Sequence, residues 1–370
     1  SLGLPHRGGG LGGLNSMAEE LNNDDLWIVA ENYIRSIGLA RHHIDSFNEF
    51  IDKDMQKIVD EVKNIEFTVE DKVVRIELGK VWVGAPRIVE PSGAIRDIYP
   101  MEARVRNFTY AAPIYLEVKE LKDGRELKHV VLIGEMPVMV NSRYCALAGL
   151  DPAVRVRLGE DPYDPGGYFI INGSERVIVG VEDLAPNRII LEEKKIGPYS
   201  FYIARVFSTT VGYRTRVEVR LKGQNNELKV YLPGVGQEVP FVIMLKALGM
   251  ESDRKIAELV SPFPEIQELL APSFDAAQNV LGKDDAVMYI GNRVAYGHSD
   301  KVRLSKTQNV LDKILLPHVG LDEKSRYAKA LFLCEMAERV LAMKLGWRPP
   351  DDKDHYRNKR IRLAGGLLAE

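Results

Sequence analysis

The chain has 370 residues, 45% apolar and 28% charged, a globular composition with length for two domains. Its 50 Lys and Arg against 53 Asp and Glu leave a net charge of −3, so bulk charge draws it to no polyanion and any nucleic-acid surface has to be a local patch. Cys145 and Cys334 lie far apart and outside any C-x-x-C, and no apolar run approaches the ~20 residues of a membrane span; we expect reduced thiols, no zinc site, and a soluble, cytoplasmic protein.

Residues 1–16 are rich in Gly and Leu and lack the basic start, apolar block and cleavage site of a signal peptide. They read either as an expression-vector remnant or as a native flexible arm, with Met17 as a native start. Residues 24–64 read as helices, the second with Ile44, Phe47, Ile51, Met55, Ile58 and Val62 on one apolar face. From Ile65 the period becomes two. EFTVEDKVVRIEL reads as two strands around Glu70-Asp71, and VRNFTYAAPIYLEVKE and ELKHVVLIGEMPVMV as two more around the Asp123-Gly124 turn. A short helix is expected near Arg143–Leu150. In DPYDPGGYFIINGSERVIVG, the runs YFII and RVIV flank Asn172-Gly173, a positive-φ hairpin turn. Gly166-Gly167 lead into a strand and not a helix N-terminus, which makes them a tight turn and not a phosphate loop.

Past Ile196-Gly197-Pro198, YSFYIARVF, RTRVEVRL and ELKVYLP read as strands. Helices follow from Val239 to about Trp347, with breaks near Gly249, Pro262-Pro264, Pro272, Gly282, Gly291 and Gly320. Asp322–Leu345 is apolar on more than one side, as a buried helix is. The pattern is α+β, changing character near Lys194–Pro198, with no internal repeat.

No G-x-x-x-x-G-K-[ST], G-x-S-x-G or H-E-x-x-H is present. The densest polar cluster runs from Asp351 to Arg360. Asp351, Asp352, Asp354 and His355 are a conceivable metal-ligand set, but Lys353, Arg357, Lys359 and Arg360 put positive charge where the metal would sit. A solvated linker and a nucleic-acid contact are the other readings, and the mix of side chains suits phosphates and an unpaired base edge better than a cation. In RTRVEVRLK, Arg214, Arg216, Glu218, Arg220 and Lys222 share one strand face and Thr215, Val217, Val219 and Leu221 the other. The polar face is either solvated or phosphate-tracking, and the strand interleaves no aromatics on it.

At GGYFIINGSERVIV (Gly166–Val179) the sequence resembles the second-largest subunits of multisubunit RNA polymerases. HIDSFNEFI (His43–Ile51), PMEARVRNFTYAAPIY (Pro100–Tyr115), GEMPVMVNSRYC (Gly134–Cys145), LPGVGQEVPFVIMLKALG (Leu232–Gly249) and DDKDHYRNKRIRLAG (Asp351–Gly365) resemble further blocks of that family in order. EDLAPNRI (Glu182–Ile189) is closest to the archaeal form. The resemblance, from Met17 to Glu370, implies a β-rich protrusion domain of discontinuous chain interrupted by an inserted α+β lobe. The protrusion is then Met17–Glu193 with its return at Ile361–Glu370, and the lobe Lys194–Arg360. It also implies a fragment of a nucleotidyltransferase that carries no catalytic centre, with magnesium and zinc held elsewhere in the complete enzyme. The implied partners are the largest subunit, the rest of the second-largest subunit, DNA, and initiation and elongation factors.

Bacterial members write the last block D-D-x-D-H-x-G-N-R-R-x-R, beside the non-template strand and with a pocket for an unpaired base. Asp354, His355, Asn358, Arg360 and Arg362 match it, while Lys359 replaces an arginine, Arg357 a glycine, and Leu184 stands where those members carry another arginine. These departures argue against base-specific readout and leave strand contact through charge. The resulting nucleic-acid candidates are Asp354, Lys359, Arg360 and Arg362, with Arg214, Arg216, Arg220 and Lys222. The competing expectations are a metal-dependent nuclease or phosphoesterase built on Asp351, Asp352, Asp354 and His355, and a pure protein-interaction scaffold.

Overall fold

The computed structural model describes residues 23–69, 72–122, 125–197, 199–222 and 225–369. Residues 1–16, Met17, and the expected turns Glu70-Asp71 and Asp123-Gly124 lie outside them. The chain forms two compact units. One comprises the chain up to Ile51 with Lys80–Val118 and Lys128–Ile178; the other comprises Asp52–Gly79, Lys119–Leu127 and Val179–Glu370.

The chain opens with α1 (Asn23–Ile37), α2 (Arg41–Glu49) and α3 (Met55–Val62), the last two joined by a π-helical turn at Phe50–Asp54. That turn rotates the apolar stripe away from a strict 3.6 period: Phe47, Phe50 and Ile51 are buried, whereas Val62, expected on the same face, is 55% exposed. β1 (Asn64–Val69) pairs antiparallel with β2 (Lys72–Val83), from Val69↔Lys72 to Asn64↔Glu77, and β3 (Arg87–Val89) with β4 (Ile95–Asp97). Pro100 opens α4 (Pro100–Val105), where its missing N–H has no helical partner to lose. β5 (Ala111–Lys122) and β6 (Arg125–Pro137) complete a sheet of order β1-β2-β5-β6.

The helix expected near Arg143–Leu150 is a chain of turns. Cys145 N–H bonds Ser142 O (3.0 Å), Ala148 N–H bonds Cys145 O (3.0 Å), and the Tyr110 hydroxyl accepts from Ala146 N–H (2.9 Å). Positive φ at Asn141 (63°) and Gly149 (71°) closes the segment to helix at both ends. Asp151 then caps α5 (Pro152–Arg157), its Oδ1 accepting from Ala153 N–H at 2.8 Å. Gly166 makes the tight turn expected of it: φ is +68° and a Cβ there would lie 2.4 Å from Val140 O. β7 (Phe169–Ile171) and β8 (Ser174–Arg176) form the expected hairpin, with φ of 50° at Asn172 and 78° at Gly173, as a type I′ turn needs. Pairing stops at Arg176, so the run after it does not extend that hairpin. Tyr110, Ile98, Val138, Val140 and Ile170 centre this unit's core. Arg104 ties the unit together beside that core, bonding Glu160 (3.0 Å), Glu175 (2.8 Å) and the Tyr168 hydroxyl (2.5 Å).

The other unit continues with β9 (Val181–Leu184) and a five-stranded antiparallel sheet: β10 (Ile190–Ile196), β11 (Tyr199–Thr210), β12 (Tyr213–Lys222), β13 (Leu228–Tyr231) and β14 (Val239–Pro240). The change of pattern expected near Lys194–Pro198 falls at the turn between two strands of this one sheet, which begins at Ile190. Helices follow: α6 (Phe241–Ala247), buried along its whole length, α7 (Asp253–Val260), α8 (Pro264–Asp275), α9 (Lys283–Val294), α10 (Asp300–Asn309) and α11 (Arg326–Lys344). Ten residues of α11 are buried, as its all-round apolar pattern demands.

Two expected breaks are inside helices. Pro272 sits in the last turn of α8. Gly291 lies within α9, where a Cβ would come 3.2 Å from Arg303 Cβ and 3.1 Å from Thr307 Oγ1; the glycine lets α10 approach. The chain ends in β15 (Lys359–Arg362) and α12 (Ala364–Leu368). β15 pairs antiparallel with β9, Lys359↔Leu184 through Arg362↔Val181, so the tail lies beside a strand that precedes Glu193.

Candidate nucleic-acid interface

The alternation expected of β12 is present. Thr215, Val217, Val219 and Leu221 are buried beneath the sheet, and Arg214, Arg216, Glu218, Arg220 and Lys222 take the other face. That face is not a bare row of cations. Glu218 is fully buried at its centre, directly opposite Arg205 on β11 and Tyr231 on β13. Its carboxylate takes Arg205 Nε at 2.6 Å and Arg220 Nη2 at 2.5 Å, with Arg216 Nε at 3.4 Å.

Arg205 also meets Glu192 of β10 at 2.5 Å, and Lys353 reaches the same carboxylate at 2.7 Å. Glu238 pairs with Arg220 (2.7 Å) and Lys222 (2.8 Å). Arg214 leaves the group and pairs with Asp183 of β9 at 2.5 Å, its guanidinium 4.5 Å from the Phe207 ring centroid. The aromatic missing from the polar face of β12 comes from a neighbouring strand: Tyr231 stacks under Arg220 at 4.5 Å and Arg216 at 5.3 Å. A groove of about 350 Å³ runs over this face, lined among others by Lys194, Arg205, Arg216, Arg220 and Lys222. Burial works against the charged form of Glu218, yet hydrogen bonds from Arg205 and Arg220 outweigh it and hold the carboxyl below its ordinary pKa. Glu238 is held down in the same way by Lys222 and Arg220, against burial.

The Asp351–Arg362 block resolves into anchors and cations. Asp351 Oδ2 accepts from Leu191 N–H at 2.9 Å while its own N–H bonds Leu191 O at 3.0 Å, clamping the block to the edge strand β10. Asp352 Oδ1 takes Asp354 N–H (2.9 Å), and His355 Nδ1 takes Arg357 N–H (3.1 Å). Asp351 and Asp352 bond backbone N–H groups, and only Asp354, 95% exposed, meets a cation, Lys359 at 3.7 Å. Lys359 is held more closely by Glu182 of β9 at 2.6 Å, and that hydrogen bond raises its pKa. Arg362, half-buried, lies near enough to Asp183 to help lower that carboxyl's pKa, behind the larger effects of burial, which opposes, and of Arg214.

The metal-dependent nuclease is not supported. Its four donors are two backbone acceptors, one exposed carboxylate and one capping imidazole, and among the described residues no group of three or more His, Cys, Asp or Glu could hold a metal ion.

The structure adds residues that the sequence reading did not single out. Arg188 and Arg360 both donate to one carbonyl, Arg357 O, at 3.1 and 3.2 Å. Arg357 had entered as a cation opposing a metal and as a departure from a bacterial glycine, and Arg188 only as part of a lineage-marking stretch. The available signal was Asn187, which stands in the left-handed region (φ 58°) and turns the chain just before Arg188.

A sequence model described as RNA polymerase beta subunit matches residues 38–370. DNA-directed RNA polymerase subunit Rpo2 of Saccharolobus solfataricus is 43% identical over 355 residues, 95% of this chain and 31% of that protein. Subunit Rpo2N of Methanococcus vannielii is 40% identical over 351 residues, 93% of this chain and 70% of its own length, and Rpo2N of Halobacterium salinarum 40% identical over 357 residues, 92% and 68%. The chain thus spans about a third of the Rpo2 relatives and about two thirds of the Rpo2N relatives. With an ordered run of matching blocks, a family model across nine tenths of its length and relatives at 40% identity or more, this chain belongs to the RNA polymerase beta subunit family.

Proposed function

We propose that the chain is the N-terminal part of the second-largest subunit of a DNA-directed RNA polymerase of archaeal type, and that it lines the DNA cleft without supplying a catalytic group. Membership of the family over residues 38–370 carries this reading. In it, Met17–Glu193 with Ile361–Glu370 is the protrusion and Lys194–Arg360 the lobe; the pairing of β15 with β9 supports a tail that returns to the first of these. The work of the chain is positional. Cations of the block that ends in β15 neutralise phosphates of the displaced strand in a salt-dependent, sequence-independent way, whereas those of β12 are held by Asp183, Glu218 and Glu238, and the other subunits complete the two-metal chemistry. Its partners are those subunits, DNA, and initiation and elongation factors.

The test is reconstitution. A polymerase assembled with this chain should form a promoter open complex, and Lys359→Ala with Arg362→Ala should shorten that complex's lifetime. The double variant should also lower its logarithmic salt slope by roughly one per lost contact. Failure of the chain to assemble with the other subunits, or an unchanged lifetime and slope in a normally assembled enzyme, refutes the reading.

A further inference from the structure

Among the described residues, β6 is the long sheet edge that nothing covers. It runs for 13 residues, Arg125–Pro137, at one end of the order β1-β2-β5-β6, and from Lys128 on it belongs to the first of the two compact units. Residues 130–133, Val-Val-Leu-Ile, are 59%, 42%, 52% and 52% exposed, so both faces of the strand are open. Among the described residues no main-chain hydrogen bond joins residues 129–136 to anything outside their sheet. Such an edge presents a row of unpaired N–H and C=O groups between apolar side chains, and it takes another strand unless charge, proline, a bulge or a covering segment prevents that. The other edges are protected. β1 has six residues and sets Glu66 against Arg75, β14 has two residues, and Asp351 clamps β10. On β6 no charged residue falls between His129 and Glu135, and its proline is its last residue.

This edge is complementary to itself. A two-fold axis perpendicular to a sheet joins two copies of one edge strand antiparallel and keeps each copy's faces on the same sides, so residues directly opposite lie an even number of positions apart. One residue then faces its own copy at the axis. An axis at Val130 sets Lys128 against Leu132, one at Val131 sets His129 against Ile133, and one at Ile133 sets Glu135 against Val131. The axis at Leu132 matches side chains by kind. His129 faces Glu135 at both ends, and between them Val131 faces Ile133 and Leu132 faces Leu132. Val130 faces Gly134, where a Cβ would meet nothing within 4 Å, so the valine of the second copy has room. His129 and Glu135 are both exposed, and among the described residues neither has an ion pair within its own chain.

We propose that the β6 edge is an interface between two copies of this chain, β6 pairing with β6 antiparallel about a two-fold axis at Leu132 and joining two four-stranded sheets edge to edge. The charge pattern selects the occupant. An antiparallel strand that satisfies this edge carries a basic side chain, then an apolar run, then a carboxylate six residues after the base, which is the order on β6 itself. Main-chain hydrogen bonds supply the attraction, and the side-chain pairs fix the register. The contact is short for a specific interface, so association is reversible, with a Kd on the order of micromolar.

The test is sedimentation of the 370-residue chain over a concentration series, in which the parent should pass from monomer to dimer. Leu132→Lys puts two ammonium groups face to face at the axis and should weaken the dimer at least about tenfold. Its thermal melt should match the parent's, because the side chain it replaces is half-exposed. Val62→Lys, at an exposed apolar residue of α3, should leave the dimer intact and so separates strand pairing from general apolar clumping. His129→Glu sets a carboxylate against Glu135, and Glu135→Lys sets an ammonium against His129. Each of these chains alone should dimerise several-fold less tightly, and an equimolar mixture of the two should regain the parent's affinity, because both ends of the mixed pair then join a base to an acid. A parent that stays monomeric at every concentration, a Leu132→Lys chain that dimerises like the parent, or a mixture no tighter than its components overturns the proposal. So does a monomeric parent that assembles with the other polymerase subunits when its Leu132→Lys variant does not, a result that gives the edge to a strand from another chain.

Discussion

The polar face of β12 and the corner where Arg188 and Arg360 meet the Arg357 carbonyl both carry positive charge and hold it differently. On β12 the strand register sets Arg205 opposite Glu218, and Glu192 and Glu238 close the group from either side, so five cations share three carboxylates. At the corner the guanidinium groups of Arg188 and Arg360 find only main-chain oxygens. A cation neutralised inside its own fold has little left to offer a phosphate, because a ligand must first compete with the resident carboxylate. The first region's charge is tied up across the sheet, and in the second Arg188 and Arg360 have no carboxylate partner among the described residues.

That contrast breaks most directly at Glu218. Glu218→Ala leaves Arg205 and Arg220 facing each other over a buried gap, and we expect a loss of about 3–5 kcal/mol in urea denaturation. A loss within experimental error would show that the network contributes nothing to folding. The acid limb offers the next test. Glu218 and Glu238 have pKa values held below the ordinary 4.5, so each contributes stability that is full above that value and is lost as pH falls through the lowered one. The urea midpoint should therefore drop steeply at acid pH, and Glu218→Gln should flatten the drop while lowering the plateau.

His318 sharpens the comparison from the opposite sign. Burial, helped by the charge of Lys329, lowers its pKa from 6.5, and its Nδ1 sits 2.7 Å from Ser208 Oγ. The unfolded chain binds this proton first, so stability is full above about 6.5 and declines below it. His318→Gln should remove that shallow component and leave the deeper acid limb in place. Arg214→Ala, losing a half-buried ion pair and the Phe207 stack, should cost about 1 kcal/mol. At the small end, Arg188→Ala and Arg357→Ala should alter folding stability by no more than ~0.5 kcal/mol. A large loss at either would place that arginine among the structural cations and erase the distinction.

Local chemistry was enough for much of the fold. Asn172-Gly173 between two β-rich runs specifies its hairpin, because both positions tolerate positive φ and the ladder follows from there. The alternation of β12 and the all-round apolar pattern of α11 were legible because the periods of strand and helix sort side chains by face. Two of the misses come from geometry that a local apolar period does not carry. Gly291 looks like a helix break until α10 packs against it, and Val62 belongs to an apolar stripe until the π-turn at Phe50–Asp54 rotates it.

What the amino-acid sequence determined by itself, then, is the family, the strands and helices whose periods are unambiguous, and the residues bearing charge. Which of those charges are neutralised was decided only by tertiary structure. The partner carboxylates Glu192, Asp183 and Glu238 come from other strands and loops, and Arg188 meets Arg360 across 172 positions of chain through the carbonyl of Arg357. Electrostatic partnership falls off with distance in space and is blind to separation along the chain, so no reading of local pattern could have assigned it.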